Sequence, residues 1–284
     1  MDLNKILQCP ACSGSLTLSE MAVSCNDCRK SYPLISGIPA VMRNAPEGML
    51  HSPKKRRKLG SAWRQANNAF FSRIAVSVSA DSVVLDVGAG HGYLREYFGD
   101  QYISTDVYPY EGLDFLSDLS ESAPLRKKSI DVILLNNVLE HVAEPRKLLS
   151  AIAYGLRPEG RLILTVPFII KLHQTPYDFY RYTHFLLQKV LTEVGFHDIR
   201  IEAVYTPEAL LRSFFFEAFA PSLQSTVFRR WIRSVTRSTA WAVIRTGQRL
   251  APTPAFRNEA ITADSSHSFN PWVTGYHVEA KRAC

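Results

Sequence analysis

The chain has 284 residues, 46% of them apolar and 21% charged, with a formal charge of +7 at pH 7. That length and balance suit one full α/β domain plus a smaller piece, and they exclude a disordered or collagen-like chain. The basic excess is modest evidence for an anionic partner. No apolar run approaches the roughly 18 residues of a membrane span. The opening "MDLNKILQCPAC" does not read as a secretory signal, so a reducing, cytoplasmic setting is expected.

The first segment carries two C-x-x-C knuckles, Cys9-Pro-Ala-Cys12 and Cys25-Asn-Asp-Cys28, twelve residues apart. Each knuckle offers two thiolates from one tight turn, and "SLTL" and "MAVSC" can fold back between them as short strands. The pattern predicts one structural zinc on Cys9, Cys12, Cys25 and Cys28. Disulfides fit poorly with a reducing setting, and a redox motif needs one knuckle, not two. A piece this small cannot bury enough surface alone, so metal would supply the missing free energy. The string "LQCPACSGSLTL…VSCNDCRKSYPLISGIPAVM" resembles the zinc-ribbon family of the small activator subunit of tRNA and protein methyltransferases. That resemblance implies a structural and docking module, packed here in cis.

Next comes "HSPKKRRKLG", with five consecutive basic residues. It reads as a solvated linker, with nuclear import or a nucleic-acid patch as the alternatives. The expected divisions are a ribbon over 1–46, a basic linker over 47–60, a core over 61–205, an insert over 206–270 and a last core strand over 271–284.

From residue 80 short apolar runs alternate with helical periods, the signature of a parallel sheet with helices on both faces. "SVVLDV" is a strand, "YLREYF" begins a helix, and "QYISTDV" is a second strand closing on Asp106. "IDVILLNNVL" is a buried strand. "EPRKLLSAIAYGL" is an amphipathic helix with Pro145 in its first turn, and "RPEG" is a turn before the strand "RLILTVPF". "THFLLQKVLTEVGF" is a helix capped by Thr183 and stopped by Gly195, followed by the strands "HDIRIEAVY" and, at the end, "GYHVEAKR". The last two lack a helical crossover between them and should pair antiparallel.

The glycines of "VVLDVGAGHGYL" are Gly88, Gly90 and Gly92, with Asp86 two residues before the first. A dinucleotide fingerprint would be G-x-G-x-x-G. The tighter spacing here suits a nucleoside without a pyrophosphate, such as S-adenosylmethionine, whose amino-acid end backbone groups and Asp86 can meet. Asp106 lies twenty residues beyond Asp86, where a carboxylate can accept ribose hydroxyls, although NAD enzymes use the same device.

"SDLSESAPLRKKSIDVILLNNVLEHV" followed by "LRPEGRLILTVP" resembles the class I S-adenosylmethionine-dependent methyltransferases of the small-molecule type numbered eleven, from Val83 to Phe196 and again in the last strand. The resemblance implies a Rossmann-like, mostly parallel sheet with one antiparallel strand. It implies that Asp86, Gly88, Gly90 and Gly92 form the methionine end of the cofactor site, and that Asp106 takes the ribose. Asp118 and Leu119 would frame the adenine, and Asn136 the methionine side. In that family "LEHV", here Leu139 to Val142, turns the chain and caps the next element. A P-x-D-x-x-R-[YF]-T string is matched loosely by Pro176, Asp178, Arg181, Tyr182 and Thr183.

Methyl transfer needs an aligned acceptor and, for a hydroxyl acceptor, a base within reach. The loop "PFIIKLHQTPYDFYRYTHF" offers His173 and Asp178 as catalytic candidates. The alternative is that both order the loop while Arg181 pairs with Asp178. The insert carries a helix-like stretch with Phe228, Trp231, Ile232, Val235 and Ala242 on one face and Arg229, Arg230, Arg233 and Arg237 on the other. It reads as a lid, or as a contact with an anionic membrane through 206–250. "APTPAFRNEAITADSSHSFNP" reads as irregular. The expected acceptor is a small molecule, a glycan or a lipid-linked compound. A tRNA or protein acceptor is less favoured, because aromatic-basic interleaving and an N-P-P-Y-type motif are absent. A non-catalytic, S-adenosylmethionine-binding regulatory protein is the remaining alternative, and the intact Asp86 to Gly92 loop with Asp106 counts against it.

Overall fold

The computed structural model describes residues 3–44, 61–122, 124–206, 257–261 and 273–284, with single positions at 210 and 246. The basic linker and most of the insert, including the 206–250 stretch for which a membrane contact is the alternative expectation, lie outside the described residues apart from positions 206, 210 and 246. Among the described residues no helix is long and apolar enough to cross a membrane.

The N-terminal segment folds as a four-stranded antiparallel sheet of β1 (Leu16–Leu18), β2 (Ala22–Cys25), β3 (Ser31–Ile35) and β4 (Ile38–Pro39), in chain order. Its buried side chains are few: Leu16, Val23, Cys25, Tyr32 and Ile38 among the strands. The small sheet is joined to the main domain by backbone. Leu7 bridges Leu125, Ala40 bridges Leu116, and Val41 N–H donates to Leu116 O at 2.9 Å. The ribbon therefore packs in cis, against the far edge of the large sheet.

The large sheet has eight strands. In chain order they are β5 (Val84–Val87), β6 (Tyr102–Asp106), β7 (Phe115–Leu116), β8 (Ile130–Asn136), β9 (Leu156–Pro167), β10 (Phe196–Tyr205), β11 (Arg257–Ile261) and β12 (Gly275–Arg282). Across the sheet they run β11-β10-β12-β9-β8-β5-β6-β7. From β7 to β9 neighbours are parallel, and β12 runs antiparallel between β9 and β10. This is the class I methyltransferase arrangement, a Rossmann-like α/β sheet with a reversed strand inserted near one side.

Period-two alternation sorts side chains to the two faces. Val132 and Leu134 pack with Phe70, Phe71 and Ile74 of α1 (Ala62–Val76) and with Phe98 of α2 (Arg95–Phe98). Ile133 and Leu135 pack with Leu148, Leu149 and Ile152 of α3 (Pro145–Gly155) and with Leu187 and Leu191 of α4 (His184–Glu193). Pro145 opens α3. Thr183 caps α4 by accepting from Leu186 N–H, and Gly195 ends it at φ +91°.

Three features depart from expectation. Helix α1 is not among the elements expected from the sequence; Ser61 caps it through Arg64 N–H, and its buried stripe includes the polar Asn67. "RPEG" is not a separate turn. It is a bulge inside β9, with Glu159 at φ +62° and a register shift against β8 between Ile130 and Val132. Part of the stretch expected to be irregular is strand β11, antiparallel to β10 from Ile201–Ile261 to Tyr205–Arg257. It adds a second reversed strand at the sheet edge. Its polar sequence concealed it, because the strand is held by side chains such as Asn258, which donates to Glu202 Oε2 at 3.0 Å.

Candidate functional site

Strands β5, β6, β8 and β9 all end on one edge of the sheet, where ligands bind in open α/β folds. After β5 the chain turns through Gly88, Gly90 and Gly92, all left-handed at φ +73°, +54° and +63°. A Cβ on Gly88 would lie 2.5 Å from Val138 Cγ2, whereas one on Gly90 would meet nothing within 4 Å. The loop is thus packed at its base and open at its tip. It is pinned to β6: Gly88 and Ala89 N–H donate to Thr105 O at 2.9 and 3.0 Å, and Gly90 N–H donates to Asp106 Oδ2 at 2.9 Å. Asp106 Oδ1 accepts from Tyr108 N–H at 3.1 Å.

Behind the loop, Asp86 is buried on β5. Tyr102 Oη donates to its Oδ2 at 2.5 Å, and its Oδ1 has no hydrogen-bond partner. Burial pushes the carboxyl up to about 7 against the opposing Tyr102 bond, and the nearby Asp106 charge adds to the rise. A buried acceptor without a donor fits an ammonium or another N–H group brought by a ligand.

Beyond β7, Asp118 caps its own turn: Oδ1 accepts from Ser120 N–H at 2.8 Å and Ser120 Oγ at 2.6 Å. Leu119 beside it is buried. At the end of β8, Asn136 Oδ1 accepts from Thr165 Oγ1 (2.9 Å), Asn137 Nδ2 (3.0 Å) and Asn67 Nδ2 (3.2 Å). Asn67 Oδ1 in turn takes a bond from His277 Nε2 at 2.9 Å, and Trp63 Nε1–H donates to Asn137 Oδ1 at 2.9 Å. Asn136 is therefore held from α1, β9 and its own neighbour.

The acceptor-side loop after β9 is built around Asp178. Arg181 grips both its oxygens, at 2.7 and 2.8 Å, and His173 N–H donates to Oδ2 at 2.8 Å. The Arg181 guanidinium holds this carboxyl well below the usual carboxylate range, so Asp178 is a weak base and a strong anchor. His173 Nδ1 lies 3.3 Å from Asp178 Oδ2. The 3-10 turn Leu139–His141 staples this loop to the end of β8. Glu140 O accepts from Phe179 and Tyr180 N–H at 2.9 and 3.2 Å, His141 Nδ1 bonds Tyr177 O at 2.6 Å, and Tyr182 Oη donates to Leu139 O at 3.2 Å. These bonds tie "LEHV" to the acceptor-side loop, while α3 is capped at Glu144 without a side-chain bond.

A family model described as "Methyltransferase domain" matches residues 54–198, just over half of the chain. The chain belongs to this methyltransferase family.

Among curated proteins, an uncharacterized methyltransferase of Mycobacteroides abscessus is 33% identical over 99 residues, 29% of this chain and 38% of that protein. One of Mycolicibacterium vanbaalenii is 29% identical over 121 residues, 38% of this chain and 44% of that protein. The match thus spans less than half the length of these relatives. Among solved structures, a phosphoethanolamine N-methyltransferase 2 of Haemonchus contortus, in complex with phosphomonomethylethanolamine and S-adenosylhomocysteine, is 16% identical with a TM-score of 0.46. The similarity covers 78% of this chain and 53% of that one. A SAM-dependent methyltransferase from Archaeoglobus fulgidus is 20% identical with a TM-score of 0.44, covering 77% of this chain and 94% of that one.

In this member of the family the four N-terminal cysteines converge. Cys9 and Cys28 Sγ lie 3.7 Å apart, Cys12 and Cys25 Sγ 3.5 Å apart, and all four sulfurs lie within 4.8 Å of one another. Disulfide sulfurs sit at about 2.05 Å. Four thiolates at about 2.3 Å from a tetrahedral zinc would be about 3.8 Å apart. The donor set fits that ion.

Two parts of the site are not among those expected from the sequence. The Trp63–Asn67–His277 network includes a bond between residues 210 positions apart, Asn67 and His277, and its one sequence signal is a polar Asn67 on the apolar stripe of α1. The second is the convergence of Glu140 and His141 with His173.

Proposed function

We propose that this protein transfers a methyl group from S-adenosylmethionine to a small-molecule, glycan or lipid-linked acceptor, with a structural zinc on Cys9, Cys12, Cys25 and Cys28. The observation that carries this reading is the loop, open at Gly90 and tied through its N–H to Asp106 across the edge of the sheet. In this reading the orphan Oδ1 of Asp86 and the loop amides meet the amino-acid end of the cofactor. Asp106 takes the ribose, and Asp118 with Leu119 borders the adenine. The cofactor supplies a methyl already activated on a sulfonium.

The chain's own task is to align the acceptor behind that methyl and exclude water. The loop over 168–183 is suited to it. Asp178 and Arg181 fix its path, and Ile170, Leu172, Tyr177 and Phe179 present exposed apolar surface for an acceptor with a hydrophobic part. His173 stands where an acceptor proton would be received, oriented by Asp178.

Calorimetry with S-adenosylmethionine and with NADH tests the cofactor reading. S-adenosylmethionine should bind, and Asp106→Ala should weaken it about tenfold to hundredfold, as expected for the loss of one or two charge-assisted hydrogen bonds. Preferential binding of NADH, or an Asp106→Ala chain with unchanged affinity, would overturn it.

A further inference from the structure

At the foot of the acceptor loop sits a group of side chains that the cofactor site does not use. Glu140 is fully buried, and neither of its carboxylate oxygens has a hydrogen-bond partner. His141 Nε2, 3.7 Å from Glu140 Oε1, is also buried without one. The state of His141 follows from its other nitrogen. Nδ1 bonds the carbonyl of Tyr177, which can only accept, so Nδ1 carries the hydrogen and Nε2 of the neutral ring presents a bare lone pair.

Glu140 Oε1, Glu140 Oε2 and His141 Nε2 are therefore shut away together without a hydrogen-bond partner at the end of β8. A third side chain completes the group: His173 packs edge-on to His141, ring centroids 4.7 Å apart, and one donor atom each from Glu140, His141 and His173 lies within 4.8 Å of the others. A cation can satisfy all three.

From this geometry we infer that Glu140, His141 and His173 form a second metal site, for a divalent first-row transition cation. Two imidazoles and one carboxylate are an established donor set for such ions, at about 2.0–2.2 Å per bond. Ligand atoms on one ion then lie about 3.0–3.5 Å apart, so the pair at 3.7 Å needs to close by well under an ångström and the others, all within 4.8 Å, by at most about 1.8 Å. The supporting contacts are those expected around metal ligands. His141 is held by Nδ1–H to a backbone carbonyl, and His173 sits beside Asp178, itself fixed by Arg181.

The binding claim stands on these donors alone. Its role in methyl transfer rests on the function proposed above: the cation would hold an acceptor oxygen and favour its deprotonated form, and His173 would act as ligand rather than proton acceptor.

The test uses the full chain with its cysteine site loaded with zinc, and Mn²⁺ as the added probe. Titration followed by electron paramagnetic resonance should show about one Mn²⁺ per chain, with nitrogen hyperfine coupling from imidazole. The near-isosteric Glu140→Gln and the more exposed His173→Gln should each weaken binding at least about tenfold, while S-adenosylmethionine affinity changes little. Absence of saturable Mn²⁺ binding, or binding equal in both variants to that of the parent, would overturn the site. Mn²⁺ bound by a chain that ignores S-adenosylmethionine would leave the site standing and remove its role in methyl transfer.

Discussion

The ribbon and the eight-stranded domain reach a fixed structure by different routes. In the domain, strands such as β8 bury five of seven side chains, and helices cover both faces. Removing apolar area from water, at roughly 25 cal/mol per Å², contributes most of the stabilisation there. The ribbon's strands are two to five residues long and bury few side chains. Four sulfurs within 4.8 Å stand where a core would otherwise be. The same chain thus holds one region by burial and offers the other a hold by ligation, and the two meet at the Leu116 edge.

The sharpest way to break this contrast is to remove a thiolate. Cys25→Ser should release the zinc, whose binding contributes on the order of 10–16 kcal/mol in small zinc domains. Hydrogen exchange should then show loss of protection over the ribbon while β5, β8 and β9 keep theirs. Loss of protection in both regions at once would show that the domain depends on the ribbon.

Acidification tests the burial side. His277 is fully buried, stacked on Phe70 with centroids 4.4 Å apart, and burial lowers its pKa from 6.5 to about 3. Its neutral ring donates at Nε2 to Asn67 Oδ1 and faces Asn258 Nδ2 at 3.4 Å through Nδ1. A group depressed in this way contributes stability that is whole above pH 6.5 and lost as pH falls toward 3. Asp86 and Glu140 are raised by burial to about 7 and about 8. Their contribution has the opposite sign, whole below about 4 and lost as pH rises through those values. Urea midpoints of the parent chain and His277→Gln, measured from about pH 7 to about 3.5, should differ in slope, the variant losing up to a few kcal/mol less. Parallel curves would mean that His277 is not held neutral.

Within the glycine loop the effects are smaller but more selective. Gly88→Ala combines a left-handed backbone with a 2.5 Å approach to Val138 and should cost about 2–3 kcal/mol. Gly90→Ala, in open space, should cost about 1 kcal/mol in stability yet weaken S-adenosylmethionine binding by a larger factor than that loss explains. Equal effects of the two substitutions on stability and on binding would deny that the loop has a packed base and an open tip.

Much of this architecture could be read in the chain. The knuckle spacing, the strand ending at Asp106, the Thr183 cap and the last strand over Gly275–Arg282 are where local pattern placed them. The misses share a cause. Strand β11 carries no apolar alternation because it lies at an edge, and "RPEG" has turn chemistry that β9 absorbs as a bulge. Asp178 could be nominated for chemistry from its type alone. The alternative expectation, a pairing with Arg181, matches the fork of Arg181 across both its oxygens.

Local sequence determined the elements of this protein, since capping, periodicity and glycine conformation depend on residues a few positions apart. Tertiary structure decided which polar groups are shut away together: Asn67 with His277 across 210 residues, and Glu140 with His141 and His173 at the end of β8. Burial strips those groups of water, and whether they then find a partner is settled by how the strands cross over, which no neighbouring residue records.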